Sequence, residues 1–271
     1  MTKNPVPVVT VPRLLQMKRA GEKIVALTAY DAPTGRLLDA AGVHLILVGD
    51  SVANVKLGHP NTLPVTLEEM LHHTRAVRRG VERALLVADM PFLTYEFDPK
   101  VAVAHVGRLI KEGGATAVKV EGAGSILPSI RALVAANIPV MGHLGLTPQS
   151  VLRLGGYRRQ GRDRAGAARI LSDARRLQSA GVFALVLEAV PAALGKKVAR
   201  ALRIPVIGIG AGPGTDGQIL VVDDLLGLTP PPRPRFARAY AELGAESLRA
   251  VRAYAGDVAA GRFPGPRESA D

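Results

Sequence analysis

Thr66-Leu-Glu-Glu-Met-Leu-His-His-Thr-Arg-Ala-Val-Arg-Arg-Gly-Val-Glu-Arg-Ala-Leu-Leu-Val-Ala-Asp89 holds one helix and the strand that follows it. Leu67, Met70, Leu71, Thr74 and Val77 fall on one helical face, and Glu68, His72, Arg75 and Arg79 on another. Thr66 with Glu69 three residues later makes a capping box, and Gly80 ends the helix. Ala84–Ala88 then reads as a short buried strand, and an acid, Asp89, stands at its end.

The same unit recurs on both sides of this stretch. Apolar runs rich in β-branched residues lie at Ile24–Ala29, Leu45–Val48, Ala117–Val120, Pro139–Met141, Phe183–Leu187 and Val206–Ile209, with a weaker eighth at Ile219–Val222. Helical stretches separate most of them, and Asn137 stops one just before Ile138-Pro139. Strands alternating with helices, without hairpin signals, predict a parallel α/β sheet. Seven or eight units in about 200 residues fit a single (β/α)₈ TIM barrel. A doubly wound sheet is the alternative, since periodicity does not show closure. The expected organisation is one domain: a leader and helix (Val11–Ala20) over residues 1–22, a barrel core over 23–229, and a C-terminal part over 230–271. That last part starts with the stiff bridge Pro230–Pro234 and continues as helix over Phe236–Gly261.

Composition narrows the chemistry. Hydrophobic residues make up 48% of 271, enough for a sizeable core. No apolar run is long enough to cross a bilayer and Met1–Thr10 lacks a signal peptide's apolar stretch, so a cytoplasmic protein without membrane contact is expected. There is no cysteine, which leaves oxygen and imidazole as metal ligands and favours hard cations such as Mg²⁺. The net charge is +12, yet aromatic residues are only 4% and the arginines are scattered, which argues against a nucleic-acid surface.

The residues at the strand ends carry the functional signal. Asp50-Ser51, Asp89, Glu121, His143 and Glu188 each end or follow a strand, and Lys119 lies inside one. In a barrel these ends surround one mouth. One acid after a strand is an ordinary helix cap or turn former. Four acids at one level are another matter: Asp50, Asp89, Glu121 and Glu188 require a compensating cation, and a divalent ion with open positions for substrate and water supplies it. Lys119 adds a positive charge for a substrate carboxylate or a developing enolate oxygen.

Other motifs are discounted. Gly212-Pro-Gly-Thr-Asp-Gly217 fits a dinucleotide pattern but follows a late strand, which leaves it at most an anion nest at the mouth. Glu68/His72 and Glu69/His73 have metal-pair spacing on an outer helix and read as surface or subunit contacts. Arg153, Arg158, Arg159, Arg162 and Arg164 form a basic loop after the fifth strand.

With these residues in place, the sequence resembles the ketopantoate hydroxymethyltransferase family over nearly its whole length. The matching segments include Thr28-Ala-Tyr-Asp31, Leu47-Val-Gly-Asp-Ser51, Gly58-His59, Thr62-Leu-Pro-Val-Thr66, Ala88-Asp-Met-Pro-Phe92, Val118-Lys-Val-Glu-Gly122, Gly142-His-Leu-Gly-Leu-Thr-Pro-Gln-Ser150, Leu185-Val-Leu-Glu188 and Ile204-Pro-Val-Ile-Gly-Ile-Gly-Ala-Gly212. Val52-Ala-Asn54 departs from the family's usual Leu-Gly-Met. The resemblance implies a barrel of the phosphoenolpyruvate/isocitrate lyase type with extra N- and C-terminal helices, assembled as a homodecamer. It implies transfer of a hydroxymethyl group from 5,10-methylenetetrahydrofolate to 3-methyl-2-oxobutanoate in pantothenate synthesis, with Mg²⁺ or another divalent ion. By motif, Asp50, Asp89 and Glu121 become metal ligands. Asp50, Ser51, Asp89, Lys119, His143 and Tyr30 become substrate contacts, and Glu188 the general base. Folate tails carry several glutamates, which the charge of the basic loop would attract, a general arginine enrichment of the sequence being the alternative. An Mg²⁺-dependent C–C lyase or mutase acting on a 2-oxo acid enolate is the rival reading.

Overall fold

The computed structural model describes residues 7–269. Eight strands, β1 (Ile24–Thr28), β2 (Leu45–Val48), β3 (Leu85–Asp89), β4 (Ala117–Glu121), β5 (Val140–Gly145), β6 (Ala184–Glu188), β7 (Val206–Ile209) and β8 (Gly217–Leu220), pair in parallel with their neighbours, and β8 returns to β1. The sheet is a closed barrel, which removes the doubly wound alternative. Around it stand α1 (Val11–Ala20), α2 (Ala32–Ala40), α3 (Val52–Val55), α4 (Leu67–Arg78), α5 (Pro99–Lys111), α6 (Leu127–Ala135), α7 (Val151–Leu154), α8 (Arg164–Ser179) and α9 (Ala192–Ala201). Two further helices, α10 (Val222–Leu225) and α11 (Leu243–Ala259), belong to a second compact unit beginning at Val221, the first unit ending at Leu220.

Local chemistry explains these elements. In α4 Thr66 Oγ1 accepts the Glu69 N–H while the Glu69 carboxylate accepts the Thr66 N–H, so the capping box is formed, and Met70, Leu71, Thr74 and Val77 are buried. Asn137 adopts φ 61°, the left-handed stop expected after α6. The eighth strand begins two residues before its apolar run because Gly217 itself pairs with Ile24 and Ile207. A Cβ there would meet the Ile24 carbonyl oxygen at 2.3 Å, so a residue that reads as a breaker is the one that lets the barrel close. Helix over Phe236–Gly261 is corrected to α11 alone. Ahead of it, the Tyr240 and Leu243 N–H groups donate to the carbonyls of Leu225 and Leu226, a pairing no periodicity displays.

Inside the barrel a period of two separates core from site. Leu85 and Val87, Ala117, Met141, and Ala184 and Val186 join one apolar cluster that also takes in Leu14 and Met17 of α1. Two residues further along the same strand faces the side chains are Asp89, Lys119, His143 and Glu188, and after Lys119 comes Glu121. The inward face thus turns from apolar to ionisable towards the C-terminal ends of the strands, while α1 contributes to the apolar end.

One buried acid serves the fold alone. Asp39, at the end of α2, accepts the backbone N–H groups of Glu82, Arg83 and Ala84 at 2.7–3.2 Å and thereby fixes the entry to β3. Asp39→Ala strands three donors and is expected to lower stability by about 2–3 kcal/mol, read as a shifted urea midpoint at constant slope. An unshifted midpoint would show that water replaces the carboxylate.

Candidate active site

All eight side chains singled out in the sequence converge at the strand ends. They form a continuous series of contacts from β1 to β6. Tyr30 Oη lies 2.8 Å from Ser51 Oγ, and the Asp50 N–H donates to Asp89 Oδ2 at 3.0 Å. Lys119 Nζ is 2.8 Å from Asp89 Oδ1 and 3.8 Å from Glu121 Oε1. His143 places Nδ1 3.1 Å from Glu121 Oε1 and Nε2 3.3 Å from Glu188 Oε2. Register brings these pairs together: Asp89 lies beside Lys119, Glu121 beside His143, and Gly145 beside Glu188. Gly49 keeps the β2 end open, since a Cβ there would sit 2.8 Å from Ser51 Oγ.

Four acids share this volume with one lysine and one histidine. Burial, then the charges of Asp89 and Glu121, push the Asp50 carboxyl up to about 7, against the opposing pull of Lys119 and Gln149. Burial also raises Asp89 above the usual carboxylate range despite Lys119. Burial disfavours the Lys119 charge, but Asp89, Glu121 and Asp50 outweigh it and hold the ammonium above its ordinary value. His143 is likewise opposed by burial and by Lys119, yet Glu121 and Glu188 raise it to about 9. Glu121 at Nδ1 and Glu188 near Nε2 thus favour the protonated imidazole, against Lys119 Nζ at 3.3 Å from Nδ1. Glu121 is pulled below its usual value against the cost of burial, chiefly by His143 and Lys119.

Two members of the site were missed in the sequence. Gln149 and Tyr95 are buried among the acids, with Tyr95 Oη 2.8 Å from Gln149 Oε1. Neither carries a charge at neutral pH, so a search for acids at strand ends passes them by, although Gln149 lies within the matched segment Gly142–Ser150. His73 also proves to be more than a surface residue: its Nδ1 is 2.7 Å from the Tyr30 carbonyl oxygen, on the inner side of α4. Its neighbours behave as expected of an outer helix, Glu68 pairing with Arg108. Of Gly212–Gly217, Gly212 packs against Ala192 at the start of α9, whereas the end of the segment leaves the mouth. Asp216 lies at the other end of the barrel, where its carboxylate accepts the Val206 N–H and pairs with Lys18, and Lys23 donates to the Thr215 carbonyl. The five arginines of the Arg153–Arg164 loop are all exposed.

A closed parallel barrel with ionisable residues gathered at its C-terminal mouth defines a (β/α)₈ enzyme, here of the phosphoenolpyruvate mutase/isocitrate lyase fold. A phosphonopyruvate hydrolase solved with oxalate and Mg²⁺ superposes with TM-score 0.62 at 15% identity, over 95% of this chain and 92% of that one. For 2,3-dimethylmalate lyase the TM-score is 0.60 at 16% identity, over 97% and 92% of the two chains. Within that fold the chain belongs to the ketopantoate hydroxymethyltransferase family, whose model matches residues 8–266. It is 54% identical over 261 residues to the 3-methyl-2-oxobutanoate hydroxymethyltransferase of Moorella thermoacetica, covering 96% of this chain and 97% of that protein. The enzyme of the same name from Geotalea daltonii is 51% identical over 255 residues, 94% and 96% of the two chains. The chain is therefore a transferase. No helix among the described residues is long and apolar enough to cross a membrane.

Proposed function

We propose that this enzyme transfers a one-carbon unit from 5,10-methylenetetrahydrofolate to 3-methyl-2-oxobutanoate, giving 2-dehydropantoate and tetrahydrofolate, in pantothenate synthesis. The reading is supported by family membership and, in the structure, by one observation above all. Glu188 is the more open acid of the cluster, its side chain 14% exposed against 2% for Asp89 and 3% for Glu121, and its Oε2 lies 3.3 Å from His143 Nε2. A proton acceptor must be reachable, while the groups that receive negative charge gain strength from burial.

The donor set fits a divalent cation. Among the described residues no group of three or more Asp, Glu or His side chains is placed to hold a metal ion. Mg²⁺ is characteristically held by one or two carboxylates, with substrate and water completing its octahedron. Of the six carboxylate oxygens of Asp50, Asp89 and Glu121, Asp50 Oδ1 has neither a hydrogen bond nor an ion pair among the described residues, and Asp89 Oδ1 has only its ion pair with Lys119. Asp50 would hold the ion first, with Asp89 and Glu121 completing its acidic surroundings. Bound there, Mg²⁺ would acidify C3–H by polarising the neighbouring ketone.

The protein's own residues do the rest. Lys119, Ser51 and Tyr30 orient the 2-oxo acid through its oxygens. Glu188 takes the C3 proton, and its contact with His143 fixes the direction from which it does so. The enolate carbon then forms a C–C bond to the methylene of the folate. The two C–N bonds of that bridge break, one water supplies the hydroxyl of the product, and the C3 proton held by Glu188 and the water's remaining proton end on the two folate nitrogens.

Proton NMR of 3-methyl-2-oxobutanoate in D₂O with enzyme and Mg²⁺ tests this directly. Loss of the C3–H signal without folate, and a hydroxymethylated product only with folate, is the expected result. Absence of both across a series of divalent metals sinks the proposal and favours a lyase or mutase acting on another 2-oxo acid.

A further inference from the structure

Gln149 sits on the 3₁₀ turn Pro148–Ser150 after β5, and Tyr95 on the loop after β3. Each polar atom of the Gln149 side chain is engaged. Nε2 donates one proton to Asp50 Oδ2 at 3.0 Å and the other to the Met90 carbonyl at 2.9 Å. Oε1 accepts the Tyr95 hydroxyl at 2.8 Å. The Gln149 backbone N–H donates to Glu121 Oε2 at 2.9 Å, and Tyr95 Oη accepts the Glu121 N–H at 3.0 Å. One buried residue thus ties the acid after β2 to the acid ending β4, across the intervening strand.

The amide has only one workable orientation. Turned over, it would set Oε1 against the Met90 carbonyl oxygen, with no proton between them. Tyr95 has a single hydroxyl proton and spends it on Oε1, so the phenol selects the orientation in which N–H faces Asp50. Gln149 occupies Oδ2 and leaves Oδ1 as the open oxygen of that carboxylate.

We infer that Gln149, oriented by Tyr95, is a positioning residue that presents Asp50 Oδ1 to the divalent cation. The inference rests on the metal reading proposed above, but assigns a role to two uncharged residues outside the ligand set. Hydrogen-bonded partners of metal-binding carboxylates characteristically change metal affinity about 10- to 100-fold when removed.

The test is Mn²⁺ binding measured by electron paramagnetic resonance on the intact protein without substrate, alongside thermal unfolding in chelator. Gln149→Leu is expected to weaken Mn²⁺ about 10- to 100-fold, and Gln149→Glu at least as much, since it places a carboxylate against Asp50. Tyr95→Phe, which removes one oxygen and keeps the ring, is expected to weaken it less, by about 3- to 10-fold. It carries the test should Gln149→Leu fail to fold. A purely structural role would lower the unfolding temperature and leave the Mn²⁺ affinity of the folded protein unchanged, which overturns the inference. Asp50→Asn separates the two ideas. If it abolishes Mn²⁺ binding while Gln149→Leu and Tyr95→Phe do not weaken it, the positioning role fails and the metal site stands. If the wild-type protein binds no Mn²⁺, both fail.

Discussion

Glu188→Gln is expected to slow exchange of the C3 proton of 3-methyl-2-oxobutanoate by about 10²- to 10⁴-fold, the usual contribution of a positioned general base. The amide has nearly the same shape, so its oxygen can still meet His143 Nε2, now 3.3 Å from the carboxylate. Lys119, Ser51, Asp50 and Tyr30 remain in place, and binding of the oxo acid should change by less than about threefold, an effect near 0.6 kcal/mol. The variant therefore separates binding from chemistry. Loss of one carboxylate also withdraws a partner that raises His143, so the imidazolium should titrate below its present value of about 9. That shift is readable by NMR of the histidine ring and shows that the substituted side chain still faces it. Undiminished exchange in a folded variant would move the base to another group.

The legible part of this molecule is the part written in periodicity and charge. Strand ends two residues beyond apolar positions, as in Val87 to Asp89 or Val186 to Glu188, announce both the barrel and the level of the site, because the same inward face must serve as core below and as site above. The capping box of α4 is legible for the same reason, since its two residues act within one helical turn. What could not be read depends on contacts between distant segments. Gly217 looks like a breaker until Ile24 lies beside it. Gln149 looks like a turn residue until Asp50, 99 positions earlier in the chain, accepts its amide proton. Asp39 resembles any exposed helical acid until three N–H groups of the β3 entry close on it. Charge balance was legible in outline, as an excess of acids. The pairing was not: Lys119 with Asp89, and His143 bridging Glu121 and Glu188, follow from register.

Asp89→Asn is expected to raise the Mg²⁺ concentration for half-maximal activity by about 10²- to 10³-fold. Two unit charges about 4 Å apart interact by about 4 kcal/mol at an effective dielectric constant of 20, and the substitution removes one of them beside a divalent ion. Asp89 is the sensitive position because both of its carboxylate oxygens are engaged. Its Oδ1 already meets Lys119 at 2.8 Å, and its Oδ2 holds the Asp50 N–H at 3.0 Å, so it sets both the charge and the backbone next to the first metal-binding candidate. An asparagine keeps one acceptor for the Asp50 N–H but turns an N–H₂ group towards Lys119, donor against donor. Lys119 is then left with Glu121 at 3.8 Å as its nearest acid. If Asp89 acted only as the partner of Lys119, its loss would impair oxo-acid binding equally at every Mg²⁺ concentration. A metal role instead predicts a defect that high Mg²⁺ overcomes, at least in part. Titrating Mg²⁺ at saturating oxo acid distinguishes these outcomes, and an unchanged half-saturation point removes Asp89 from the metal site.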